Sequence, residues 1–309
     1  MKDKQGNAAA YIAAIANAAI IGFSFLFVKL TVTEAHPLDV LAHRFTIGFA
    51  AVPVPFLFRW ARLRIAWRDI WRMVPLGLLS PALFFAFQTY GLIRSTSSEA
   101  GIILATVPIF TLLLASYFLK ERTSLIQKLS LMLSVAGVVL IFVMKGGSGL
   151  HSANLAGTFL LLLSAFSMAG YSVLARTLTR KYAPLELALV TMGMGFIVFL
   201  AASLIRHAAE GSISTFFQPL AHPTYLSALL YLGVLSSVVT TWLAGYALSR
   251  LETSKVSVFS NFSTLISILA GALILQEKIT IYHALGTVMI IAGVFGTNRA
   301  KLRAGASAL

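Results

Sequence analysis

Hydroxyl and amide side chains recur at helical spacing inside stretches that are otherwise apolar. Asn17 and Ser24 lie seven residues apart, on about the same helix face. Gln88 and Thr89 follow Phe84 by about one turn, and Thr106 and Thr111 flank Pro108. Ser164, Ser167 and Tyr171 share a face at spacings of three and four. Ser236, Ser237, Thr240 and Thr241 cluster before Trp242, and Ser257, Ser260, Asn261 and Thr264 form a similar group. Groups of this kind at membrane depth need a partner or water. They either line a wet cavity or bond their own helix and pack small faces together. Asn17, Thr106, Ser167, Thr240, Asn261 and Thr264 fall near the middle of their spans. With the aromatic side chains Phe84, Phe87, Tyr171 and Trp242 nearby, they suit a zwitterion or a neutral polar molecule.

Arg44 stands inside an apolar stretch beside His43. A guanidinium there is costly unless it is paired or reaches outward. It could bind a substrate carboxylate, act as a gate, or form a structural pair with Glu34. Pro81 and Pro108 each remove a ladder hydrogen bond within a helical stretch, which makes them hinges, sources of free carbonyls, or fixed kinks. No Asp or Glu lies in the middle of an apolar span, which disfavours a pump that binds a proton and a cation in turn at a buried carboxylate. No HExxH, serine elbow or phosphate-binding glycine loop is present. The chain has no cysteine, so disulfides and thiolate metal sites are excluded. No cofactor or metal is expected.

The elements that position these residues follow from composition. The 309 residues are 58% hydrophobic and 11% charged, far below the roughly 25% charge of soluble domains. Apolar runs near twenty residues recur, the length that crosses a bilayer core about 30 Å thick. They fall at about 8–30, 38–58, 70–93, 97–119 and 124–144, then 155–178, 184–205, 224–248, 254–275 and 280–297. Gly146-Gly147-Ser148-Gly149 punctuates the midpoint. The expected fold is an all-α integral membrane protein of ten transmembrane helices.

The second half restates the first. Without a gap, Leu76-Gly77 aligns with Leu232-Gly233, Leu79-Ser80 with Leu235-Ser236, Tyr90 with Tyr246 and Arg94 with Arg250. Ser98 then aligns with Ser254, Glu121 with Glu277, and Ala136-Gly137-Val138 with Ala292-Gly293-Val294. Five helices per unit is an odd number, so the second unit enters the membrane from the opposite side. The expectation is two inverted five-helix repeats, 1–148 and 149–309, with a substrate site between them. Most of the Lys and Arg, including Arg59, Arg62, Arg64, Arg122 and Arg180, fall on the side of the termini. That bias predicts a plasma (inner) membrane protein with both termini cytoplasmic. It also assigns the net charge of +14 to inner-leaflet lipid and not to nucleic acid.

These motifs resemble the EamA-type branch of the drug/metabolite transporter superfamily. The resemblance rests on Pro37 with Arg44-Phe45 seven residues on, "LGLLS", "GLIRSTSSEAGIILATVPIFTLLLASYFLKERTS" and Gly137. It recurs in "LGVLS", "YALSRLETSKVSVFSNFSTLISILAGALILQEKIT" and Gly293. Thr191 and Thr264 depart from it, standing opposite Arg44 and Pro108. The resemblance implies export or exchange of small metabolites, amino acids among them, with helices five and ten peripheral. Export of amphipathic or cationic drugs is the alternative, and a membrane-embedded enzyme is the reading from another class. The expected partners are a small-molecule substrate and membrane lipid, with the protein a monomer or homodimer. The cavity is expected between helices one, three, four, six, eight and nine. Its expected walls are Asn17, Gln88, Ser167, Thr240 and Asn261, with Phe84, Phe87, Tyr171 and Trp242 as the apolar surround. Thr106 and Thr264 complete the set, and Arg44 lies on the same path.

Overall fold

The computed structural model describes residues 2–54, 65, 67–118, 125–146, 152–179, 181–248, 250 and 253–306. The described elements are all helical. The chain opens with α1 (Lys2–Glu34) and α2 (Pro37–Ala51). Next come α3 (Trp67–Gly77), a kinked segment (Leu78–Leu83) and α4 (Phe84–Ile93). After them come α5 (Ser97–Leu104), α6 (Val107–Phe118) and α7 (Leu125–Gly146). Two long helices succeed them, α8 (Ser152–Leu178) and α9 (Pro184–Glu210). The chain then passes through two short 3₁₀ turns to α10 (Pro223–Leu230), a π segment (Tyr231–Val239) and α11 (Thr240–Leu248). It finishes with α12 (Thr253–Ile274) and α13 (Ile281–Ala306).

Six described stretches are long and apolar enough to cross a bilayer: 8–34, 68–93, 97–118, 155–175, 185–210 and 223–244. Shorter apolar helices cover 125–141, 262–274 and 281–296. The protein is a multi-pass membrane protein. Its exposed apolar side chains, such as Leu129, Met132, Phe159, Ile197 and Leu273, are what a bundle presents to lipid, where apolar surface needs no burial.

Local chemistry explains the helix ends. Pro37 occupies the first turn of α2, where its missing N–H costs nothing, and His36 Nδ1 accepts the Leu38 N–H at 3.3 Å. Thr96 and Glu99 form a reciprocal capping box at the start of α5, with bonds of 3.1 and 3.2 Å. The expected interruption at Pro108 takes the form of a break: α5 ends at Leu104, and Pro108 sits in the first turn of α6. Helices α7 and α13 pair through small residues. A methyl on Gly137 would lie 2.8 Å from the Gly286 carbonyl, so only glycine allows this approach. Ser134 Oγ donates to the Ile290 carbonyl across the same seam at 3.1 Å.

Candidate functional site

A kinked turn and a widened turn build the site. Pro81 lacks an N–H, and its ring clashes with the preceding turn. The helix kinks there, with Ser80 in extended angles, φ −146° and ψ 120°. The segment Tyr231–Val239 is π-helical and contains no proline. There Ser237 Oγ reaches five residues back to the Leu232 carbonyl at 2.8 Å, the span of a π turn. Ser80 and Ser236, aligned in the sequence repeat, each sit within one of these turns.

The two turns face a cavity of about 230 Å³. Ser80, Pro81, Phe84 and Phe85 line it from one side, and Ser236, Ser237, Thr240 and Thr241 from another. Met168, Tyr171 and Ala175 of α8 and Leu187, Ala188, Thr191 and Met192 of α9 close the walls. Thr179, just past α8, marks the end towards which the cavity extends. The lining is amphipathic, with an aromatic and thioether wall against a wall of hydroxyls. Most of those hydroxyls are occupied by their own helices. Thr240 donates to Ser236 O at 2.9 Å, Thr241 to Ser237 O at 2.8 Å, and Thr191 to Leu187 O at 2.9 Å. Ser80 and Ser236 donate to no other group among the described residues, so their hydroxyl hydrogens are available to a ligand.

Arg44 lies directly behind this wall. Its side chain is 2% exposed. Its Nη2 donates to Ser236 Oγ at 3.4 Å, and its guanidinium lies 4.2 Å from the Phe85 ring centre. Its Nε has no partner. No carboxylate pairs with it among the described residues, and Glu34 is exposed.

Of the residues expected from sequence, Phe84, Tyr171, Thr240 and Pro81 meet in the cavity. Helix α9 contributes a wall that the spacing of polar residues did not assign, and Phe85 lines the cavity where Phe87 was expected. Phe87 is half-buried and Gln88 is buried, both outside the described lining. Thr106, Ser167 and Thr264 are buried and donate to Ile103 O, Leu163 O and Gly101 O. Asn17 is half-buried, with an unpartnered Oδ1. Trp242 is 66% exposed on the bundle surface. The Asn261 side chain lies outside the described residues.

The opposite end of the bundle is tied shut by polar groups. Asp39 accepts from Ser203 Oγ, from Arg206 Nη2 at 2.8 Å and from His207 Nε2 at 3.2 Å. Glu277, after α12, accepts the Ser97 and Ser98 amides at 2.6 and 2.9 Å and the Ser98 hydroxyl at 2.5 Å. A carboxylate at a helix N-terminus is doubly favoured, by free N–H groups and by the helix dipole. Lys29 Nζ donates to the Leu92 and Ser95 carbonyls at 2.6 and 2.7 Å. Nearby, burial and then the charge of Arg206 lower the His36 imidazole below its usual range.

A bundle holding a small amphipathic cavity, open towards one end and bonded shut at the other, has the architecture of a carrier. The EamA-like transporter family profile matches residues 8–143 and again 155–299. The chain belongs to the EamA-like transporter family. Like other EamA-like proteins it is a transporter and not an enzyme. It is 51% identical over 289 residues to the "Uncharacterized transporter YcxC" of Bacillus subtilis, covering 94% of this chain and 92% of that one. It is 26% identical over 278 residues to the "Probable amino-acid metabolite efflux pump" of Escherichia coli, covering 89% of each. A solved crystal structure superposes with a TM-score of 0.56 at 21% identity, over 91% of this chain and 96% of that one. That likeness concerns the fold alone.

Proposed function

We propose that this EamA-like transporter exports or exchanges small polar metabolites, amino acids first among them, by alternating access. In this reading ten spans form two inverted halves, 1–148 and 149–309, in a plasma membrane with both termini cytoplasmic. The two family matches and the aligned Ser80 and Ser236, both lining the cavity, support the duplication. The observation that carries the function is the cavity between the two turns, reachable from one end while the other end is bonded shut. Its volume, about 230 Å³, falls below the roughly 300–1,000 Å³ of sites that hold drug-sized ligands. This favours metabolites over drugs, as does the lack of any Asp or Glu among the described lining residues. The name of the Escherichia coli relative points the same way.

Purified protein in liposomes, preloaded with one amino acid and given a labelled one, should show counterflow without a pH gradient. The label should return chemically unchanged. Strict dependence on an imposed gradient would refute uncoupled exchange, and an inert protein across the twenty amino acids would refute the substrate class. Because the chain has no cysteine, single cysteines report sidedness directly. One placed at Gly149 should label from outside only.

A further inference from the structure

Arg44 is a buried cation with no anion beside it among the described residues. Asp39, the nearest carboxylate in sequence, is already engaged by Ser203, Arg206 and His207. Glu99 faces His283 at 3.4 Å and closes its own capping box. A guanidinium removed from water without a counter-charge is costly. Such a cost is offset where a bound ligand supplies the missing charge.

The repeat gives this arrangement a direction. Arg44 comes after Pro37 by the same seven residues that separate Thr191 from Pro184. Thr191 lines the cavity, and so do its neighbours Leu187, Ala188 and Met192. At the corresponding places, Val40, Leu41, Arg44 and Phe45 are all buried, at 0–2% exposure. In a carrier of two inverted halves, the opposite-facing state exchanges the roles of equivalent helices. The face of α2 that is now packed then becomes the cavity wall, and Arg44 takes the position that Thr191 holds here. Even in the present state Arg44 bonds Ser236, whose own hydroxyl hydrogen is available to a ligand.

We propose that Arg44 is the specificity-determining residue of the carrier, receiving a substrate carboxylate when the cavity opens to the other end and acting on it through Ser236 in the state seen here. The substrate class is therefore a small monocarboxylate, with amino acids a fitting case. Arg44 supplies one guanidinium, and no Lys, Arg or His is among the described lining residues; a single cation matches a single negative charge and not a phosphate dianion. The inference rests on the carrier reading above.

The test compares L-amino acids with their carboxamides, which keep the side chain and ammonium but lose the carboxylate charge. Counterflow and thermal stabilisation are measured for wild type, Arg44→Lys, Arg44→Gln and Ser236→Ala. Wild type should prefer the acids by roughly tenfold or more, the scale of a charge-assisted bond in a dry site. Arg44→Gln should bring the acid-to-amide ratio close to one. Arg44→Lys and Ser236→Ala should lower the ratio to intermediate values. If Arg44→Gln does not purify as a single species, Arg44→Lys decides: an unchanged ratio overturns the proposal, because a point charge does not reproduce guanidinium geometry. A wild type that takes acid and amide equally, or an Arg44→Gln protein that keeps the preference, overturns the role of Arg44 and leaves the carrier intact. A wild type that moves neither overturns the substrate class as well.

Discussion

At one end of the bundle, charged groups from distant parts of the chain interlock within the protein; at the other, the cations that pair with Asp69 stand largely in solvent. Asp39 is about 5% exposed and holds groups more than 160 residues away in sequence. At the open end, Asp69 meets Lys181 at 3.1 Å and Arg72 at 3.4 Å, with both cations more than half exposed. Buried charges are costly to separate, whereas exposed pairs contribute little. The difference teaches which end resists opening in this state. Under the alternating-access reading proposed above, the buried set must break in each cycle and so contributes to the barrier as well as to the fold.

Removing the charge at the centre of the closed end should have the largest effect. Asp39→Asn removes the buried anion that Arg206 and His207 bond, leaving Arg206 only its exposed partner Glu210. It should cost about 3 kcal/mol, the scale for breaking a buried pair, measured as a shift in equilibrium unfolding in detergent. A loss no larger than that at an exposed pair would erase the contrast between the ends. Glu277→Gln should come next, at about 2 kcal/mol, because the amide keeps its shape but loses the charge that assists the Ser97 and Ser98 bonds. It should also raise labelling of a cysteine placed at Ser95, as the closed end loosens. Gly271→Ala tests the same contact from the other side. Its methyl would overlap Glu277 Oε2 and Ser98 Oγ, so the carboxylate must leave. Combined with Glu277→Gln it should add little, since both changes remove one contact. The smallest effect belongs to Asp69→Asn, which should leave the melting temperature unchanged. A clear drop there would show that the open end is held as firmly as the closed one.

The helical phase marks the limit of what was legible. Regular α-helical spacing places Phe84 and Phe87 on one face, because residues three apart come together. A kink at Ser80–Pro81, immediately before Phe84, re-aims the helix that follows. Phe84 and Phe85 line the cavity and Phe87 does not. Thr240 and Thr241, which follow the π segment, line it while Trp242 faces outward. Proline signals the kink; the π segment contains only Gly, Ser, Tyr and aliphatic residues, and nothing local marks it.

Composition alone determined that this chain lives in a membrane, because 58% apolar residues cannot be buried within a protein of this size. Ungapped recurrence of polar letters carried the expectation of a duplication, because it survives where apolar letters are interchangeable. Tertiary structure decided which polar groups meet. Asp39 with Arg206, and Glu277 with Ser97, join positions that no repeat or spacing relates. Tertiary structure also decided which hydroxyls remain available to a ligand. A serine in a regular helix can always bond the carbonyl one turn back, and only the packed backbone shows that Ser80 and Ser236 do not.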